Sequence, residues 1–173
     1  MIGEIRDFDS ADIAVKAALT GHLVFSSLHT NSAAGVITRL IDMGILPYQV
    51  AATLRLSVAQ RLVRRLCPAC RRPRSLTHDE AKVMGRSDMA GATVYEPGSC
   101  SHCDQRGYRG RIGLFGLLPI DTELARRIVA GCHEADIDHY TRERKIPQLR
   151  DDAARKLLDG IVSYGELVAI SAW

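Results

Sequence analysis

Met1-Ile2-Gly3-Glu4-Ile5-Arg6-Asp7, followed by Thr20-Gly21-His22-Leu23-Val24-Phe25-Ser26-Ser27-Leu28-His29-Thr30, decides how this chain folds. Ile2 to Ile5 reads as a short apolar strand carrying an acidic residue. Ser10 or Asp9 then caps a helix with Ile13, Ala14, Ala17 and Ala18 on one face, and Gly21 stops it. His22 to Ser26 holds the unbroken apolar run of a strand covered on both sides. Strands alternating with helices imply parallel pairing, so active groups gather at the strands' carboxyl ends. Glu4 and His29 both fall near such ends. A carboxylate there is how nucleotide-hydrolysing α/β proteins reach water and metal beside a terminal phosphate.

Such sites need a second half, a G-x-x-x-x-G-K-S/T loop whose amides wrap the phosphates. The four lysines follow Val15, Ala81, Arg144 and Arg155, so the sequence contains no Gly-Lys pair and no such loop.

Outward from this stretch, His29-Thr30-Asn31-Ser32 is a polar elbow. It opens a helix with Val36, Ile37, Leu40 and Ile41 at core spacing and Gly44 as its stop. After Pro47, Val50, Leu54, Val58 and Leu62 recur at every fourth position, which predicts a longer helix. Cys67 to Cys103 is a cysteine-framed insertion with a polar interior. Gly107 to Arg111 is turn-rich, and Leu114 to Ile120 is apolar enough for a strand. Helices are expected over Thr122 to Ala130, Gln148 to Gly160 and from Ser163 onward, where Ser163 and Glu166 have capping-box spacing. Composition therefore divides the chain into residues 1–66, 67–106 and 107–173.

A hydrophobic share of 46% over 173 residues suits an ordinary globular protein with a real core. No apolar run reaches twenty residues and no export leader is visible, which favours the cytoplasm. Between Asp42 and Asp79 lie Arg55, Arg61, Arg64, Arg65, Arg71, Arg72 and Arg74 with no acidic residue. Such a block can bind phosphate, lipid headgroups or nucleic acid, or form a solvated face that offsets nearby thiolates.

Cys67-Pro68-Ala69-Cys70 and Cys100-Ser101-His102-Cys103 are two C-x-x-C knuckles separated by 29 residues. Each lets two thiolates converge from one tight turn, and two turns complete a tetrahedron around zinc. Four sulfur ligands close the site, so zinc there is expected to fold the insertion and do no catalysis. His102 is expected outside the ligand set, and Cys132 has no partner at ligand spacing.

In this order, the strand, the histidine elbow and the tetracysteine segment resemble the motor ATPases of type II secretion and type IV pilus assembly. The likeness covers essentially the whole chain. Residues 1–7 look like the end of the family's Walker B stretch and Thr20 to Thr30 like its histidine box. Gln60 to Pro68 is similar to the run into its zinc region, and Gly107 to Gly113 to the segment after the second knuckle. Leu149 to Gly160 and Gly165 to Leu167 resemble its C-terminal helices, while Gly116 stands where the family carries an acidic residue.

The resemblance implies the C-terminal part of a RecA-like P-loop NTPase domain: a partial parallel sheet with helices, a zinc-binding insertion and a helical C-terminal subdomain. It also implies a six-membered ring on the cytoplasmic face of the inner membrane, built from copies of this chain or full-length subunits, that pushes on membrane platform proteins. By position Glu4 corresponds to the catalytic glutamate, His29 to a histidine near the terminal phosphate and His22 to a second histidine of the box. Zinc belongs to Cys67, Cys70, Cys100 and Cys103. ATP and magnesium require the phosphate loop, so the chain alone is expected to be inactive. Two other readings compete: a non-catalytic zinc-containing adaptor that docks on the machinery, and a zinc-ribbon module binding nucleic acid through the arginines. Aromatics make up only 5% of the chain and none interleave Arg55 to Arg74, which weighs against the last.

Overall fold

The computed structural model describes residues 1–170 and resolves into two compact units. The first comprises Met1–Ala59 with Leu117–Ile146, the second Gln60–Gly116 with the residues from Pro147 onward. Ser171, Ala172 and Trp173, the end of the region expected over 107–173, lie outside the described residues.

In the first unit, helix α1 (Phe8–Leu19) is capped by Asp7, whose carboxylate accepts from the Ser10 amide at 2.9 Å. Ser10 sits inside the first turn and is not the cap, because Asp7 is the residue that retains extended backbone. The buried face is Ala11, Ala14 and Val15, while Ile13 is 61% exposed. The inward stripe is thus rotated from the one expected. Residues 2–5 and 22–28 have no regular secondary structure, yet the Ile2 amide donates to Phe25 O and the Ile5 amide to Ser27 O, both at 2.9 Å. Both contacts advance in the same chain direction, the parallel sense expected. No regular strand ladder forms there, however, and Leu23 and Phe25 are 78% and 64% exposed where a strand covered on both faces was expected.

Helix α2 (Gly35–Asp42) buries Ile37 and Leu40, and Gly44 ends it with φ +102°. Helix α3 (Pro47–Thr53) starts on proline, which supplies helical φ where no amide donor is needed. It stops after two turns, and Leu56–Leu66 is strand β1. The helix expected to run on through Val58 and Leu62 is therefore half strand. A four-residue repeat is also a multiple of two, so both residues lie on one strand face, and that face is the exposed one. Helices α5 (Thr122–Val129) and α6 (Glu134–Glu143) complete the unit, placing Leu124, Ile128, Ile137 and Tyr140 in a core with Ile37 and Val50. Full burial of one such side chain contributes about 2 kcal/mol.

In the second unit the cysteine-framed segment has an apolar interior of its own. Strand β2 (Arg72–Ser75) pairs antiparallel with β3 (Thr93–Glu96), with Arg72 opposite Glu96 and Ser75 opposite Thr93. Helix α4 (His78–Val83) bridges them behind a Thr77/Glu80 capping box. Leu76, Ala81, Met84, Met89 and Val94 are buried there, so the expected polar interior is confined to the surface. Strand β4 (Tyr108–Pro119) begins where a turn was expected and pairs with β1. Helices α7 (Leu149–Leu158) and α8 (Tyr164–Ala169) pack Leu157 and Leu167 into this core. Ser163 caps α8, but the Glu166 carboxylate bonds Arg64 instead of closing the reciprocal half of the box.

Gly116 is buried, and a Cβ on it would stand 2.9 Å from the Leu149 amide nitrogen, so this position has no room for an acidic side chain. Among the described residues no helix is long and apolar enough to cross a membrane.

Candidate functional site

Of the three residues named from the sequence as catalytic, Glu4, His29 and His22, the first two meet. Glu4 Oε1 lies 2.7 Å from His29 Nε2, and Glu4 Oε2 lies 2.5 Å from the Arg6 guanidinium. Hydrogen bonds between the two segments bring this about: the amides of Ile2 and Ile5 tie residues 2–5 to residues 25–27, and Ser27 Oγ donates to Gly3 O at 2.9 Å. The glutamate side chain is 22% exposed, while that of His29 is 87% exposed. Oε1 is itself buried and lacks a well-aligned hydrogen bond, although the imidazole is within reach. An acceptor lone pair of this buried oxygen is therefore left without an aligned donor. The Arg6 hydrogen bond holds the Glu4 carboxyl below its ordinary range against the opposing effect of burial, and the charges of Arg6 and His29 add to the lowering. Glu4 is an anion at neutral pH.

Arg6 was not singled out in the sequence. The signal that could have found it is spacing: residues two apart on an extended segment share a face. His22 does not join the pair in its contacts. Its Nδ1 lies 3.1 Å from Thr20 Oγ1 and 3.3 Å from Ala17 O, at the end of α1.

The four knuckle cysteines converge. Their sulfurs all lie within 4.8 Å of one another, with Cys67 to Cys100 and Cys70 to Cys103 at 3.8 Å and Cys100 to Cys103 at 3.7 Å. A tetrahedron with zinc–sulfur bonds of about 2.3 Å has edges of about 3.8 Å, so the donor set fits a tetrahedral thiolate metal. None of the four is in a disulfide.

Local backbone explains the convergence. In the first knuckle the Arg71 amide donates to Cys67 O, and in the second the Gln105 amide donates to Cys100 O. Asp104 and Gln105 adopt φ +49° and +63°, which turns the chain so that the Gly107 amide donates to Cys103 Sγ at 3.1 Å. Gly98 and Gly107 are required residues here. A Cβ on Gly98 would lie 1.9 Å from Cys70 O, and one on Gly107, at φ +74°, 2.5 Å from Pro97 Cβ. Burial, with the neighbouring thiols, pushes the Cys70 thiol up to about 12, whereas Cys103 is brought down to about 6 against burial by hydrogen bonds that include the Gly107 amide. His102 is exposed and lies outside the cluster. Cys132 is half-buried, and burial raises its thiol.

Much of the arginine block makes internal ties. Arg64 grips Glu166, Arg71 donates to the carbonyls of Asp159 and Gly160, and Arg74 bridges Glu80 and Glu96.

Residues 1–169 match the model of the family described as Type II/IV secretion system protein. Over 175 residues the chain is 43% identical to the type IV pilus assembly ATPase PilB of Myxococcus xanthus, covering 99% of this chain and 31% of that one. It is also 43% identical to the type II secretion system protein E of Pseudomonas aeruginosa, covering 99% and 34%. The chain thus spans about a third of the length of these relatives. Among solved structures, the pilus retraction motor PilT with bound ADP superposes with TM-score 0.64 at 20% identity, over 97% of this chain and 38% of that one. The ATPase DotB of Legionella pneumophila gives 0.60 at 24%, over 97% and 38%. At such identity these two likenesses concern the fold, which is RecA-like. With matched motifs running from Glu4 past the tetracysteine knuckles to the last described helix, the chain belongs to the Type II/IV secretion system protein family.

Proposed function

We propose that this chain is the part of a secretion or pilus-assembly ATPase that supplies the water-orienting glutamate, the histidine and a structural zinc site. The observation that carries the reading is the 2.7 Å approach of His29 Nε2 to Glu4 Oε1, a buried oxygen with no aligned hydrogen bond. A carboxylate held below its ordinary range is a weak base, so Glu4 acts chiefly by accepting a hydrogen bond from water and aiming it. His29, exposed above it, is the group that registers a terminal phosphate by donating from its ring. His22 serves this site from a distance through the loop after α1. Residues 1–66, 67–106 and 107–173 are the core, zinc and helical regions of this assignment.

Cys67, Cys70, Cys100 and Cys103 hold the zinc, which supplies folding energy and leaves no position for water. No residue run in this sequence cradles a triphosphate, so ATP and magnesium are held only with a phosphate loop from elsewhere in the assembly. In that assembly the chain works in a ring of like subunits at the cytoplasmic face of the inner membrane, against platform proteins.

Calorimetric titration of the purified chain with Mg-ATP is the test. The expected result is no binding in the micromolar range. Micromolar affinity would show that the phosphate loop is dispensable and overturn the reading. Zinc-dependent docking on platform proteins by E4Q and wild-type chain alike, with no part in turnover, would favour an adaptor instead.

A further inference from the structure

His29 is 87% exposed, so side-chain packing does not hold it against Glu4. Only the backbone of its loop can. Within that loop Thr30 Oγ1 donates to Ser32 O at 3.0 Å, and Ser32 Oγ accepts from the Gly35 amide at 2.9 Å. The second hydrogen bond is needed because Ala34, at the N-cap of α2, supplies no side-chain acceptor. Ser32 has one hydroxyl hydrogen left to donate, and it goes to Oε1 of Glu134, 102 residues away at the start of α6. Close packing completes the arrangement. A Cβ on Gly35 would lie 3.2 Å from Ser32 Oγ and 3.5 Å from Glu134 Oε1. Helix α6 is a firm base for the carboxylate, since Ile137 and Tyr140 are buried and the Tyr140 hydroxyl donates to Asp121 at 2.5 Å.

We infer that Glu134 and Ser32 form a latch that positions His29: the α6 carboxylate fixes the Ser32 hydroxyl, Ser32 fixes the start of α2, and the elbow 29–32 that ends at Ser32 sets His29 over Glu4. Glu134 and Ser32 are positioning residues and touch no reacting atom. The inference rests on the proposed role of the Glu4–His29 pair, and it adds that the pair depends on a residue outside the histidine box. The charge on Glu134 matters because a charged acceptor makes the stronger hydrogen bond, but a neutral amide oxygen of the same reach can stand in for it.

Nuclear magnetic resonance of the full chain tests this. In E134A and in S32A, amide exchange at Gly35 is expected to rise about tenfold, the worth of one hydrogen bond. The His29 ring resonances should move toward those of a free imidazole in both variants. E134Q should restore both signals, and exchange at Ile137 and Tyr140 should stay as in the wild type. If E134A loosens α6 as a whole, S32A decides, because it removes a single hydroxyl and leaves the α6 side chains in place. Wild-type exchange at Gly35 and unmoved His29 resonances in S32A would overturn the latch. E4Q separates this from the site itself: it should move the His29 resonances and leave Gly35 exchange unchanged. If E4Q leaves His29 untouched while S32A loosens Gly35, the catalytic pair is wrong and the loop tie stands.

Discussion

Asp152 shows how much of the second unit hangs on one side chain. Its carboxylate accepts from Lys156 Nζ and from Arg155, both at 2.5 Å, and from the Phe115 amide at 3.0 Å, while Lys156 also donates to Gly113 O at 2.7 Å. Helix α7 is thereby fastened to β4 by charges that are nearly out of water, Asp152 being 9% and Lys156 8% exposed. Removing one partner strands the other, so D152A should cost about 3 kcal/mol in urea unfolding, and a cost near zero would refute the tie. D152L with K156M should recover most of that loss, because apolar replacement of a buried pair is often neutral. Burial pushes the Asp152 carboxyl up, yet Lys156, Arg155 and the Phe115 amide outweigh it and hold it below its ordinary 3.8. Its stabilisation is therefore full above pH 3.8 and is lost as pH falls below that value through the lower folded one. The stability difference between pH 7 and pH 3 should be smaller in D152N than in wild type; an equal difference would contradict this.

At the scale of elements, most helix starts and stops announced by proline, glycine and serine stand where those residues do, although α1 is capped by Asp7 and not by Ser10 or Asp9. Pro47 opens α3, Gly21 and Gly44 close α1 and α2, and Ser163 opens α8. What misled was periodicity in β1, where Val58 and Leu62 satisfy a helix and a strand alike. Helix α6 went unread because Glu134–Glu143 carries few apolar residues, and only Ile137, Tyr140 and Thr141 turn inward. The cysteine spacing was fully legible, since two short turns suffice to aim four sulfurs. The glycines that permit the aim were not, because their need arises from Pro97 and Cys70, which only the folded chain brings near. G107A should therefore cut zinc retention sharply under mild chelation, while G165A, where a Cβ meets nothing within 4 Å and φ is not positive, should keep its metal. Equal retention by both would mean that the left-handed turn and the close approach to Pro97 do not shape the knuckle. Chelation of wild-type protein should raise amide exchange at residues 67–71 and 100–107 and leave residues 8–19 unaffected; uniform loosening would deny the metal a local folding role.

At the scale of the whole molecule, the packing unites residues that composition keeps apart. Leu124 and Ile128 share a core with Ile37, and Leu157 shares one with Val94. Charge follows the same division: the second unit carries fourteen Lys and Arg against nine Asp and Glu, so the net +3 of the chain conceals a basic half and a mildly acidic one. Ties such as Ser32 to Glu134 and Arg64 to Glu166 each span 102 residues, beyond any local pattern. The approach of Glu4 to His29 was legible because each stands near the end of a short apolar run, whereas the tie from Ser32 to Glu134 was not, its partner lying in a helix that periodicity does not announce. The most direct test joins this chain to the remainder of the Pseudomonas aeruginosa type II secretion protein E, in place of the matching third, and measures ATP turnover. The hybrid should hydrolyse ATP, and Glu4→Gln should slow it about a hundredfold or more, the scale of a positioned acid–base group. Turnover unchanged within about twofold by that substitution would contradict a water-orienting role for Glu4.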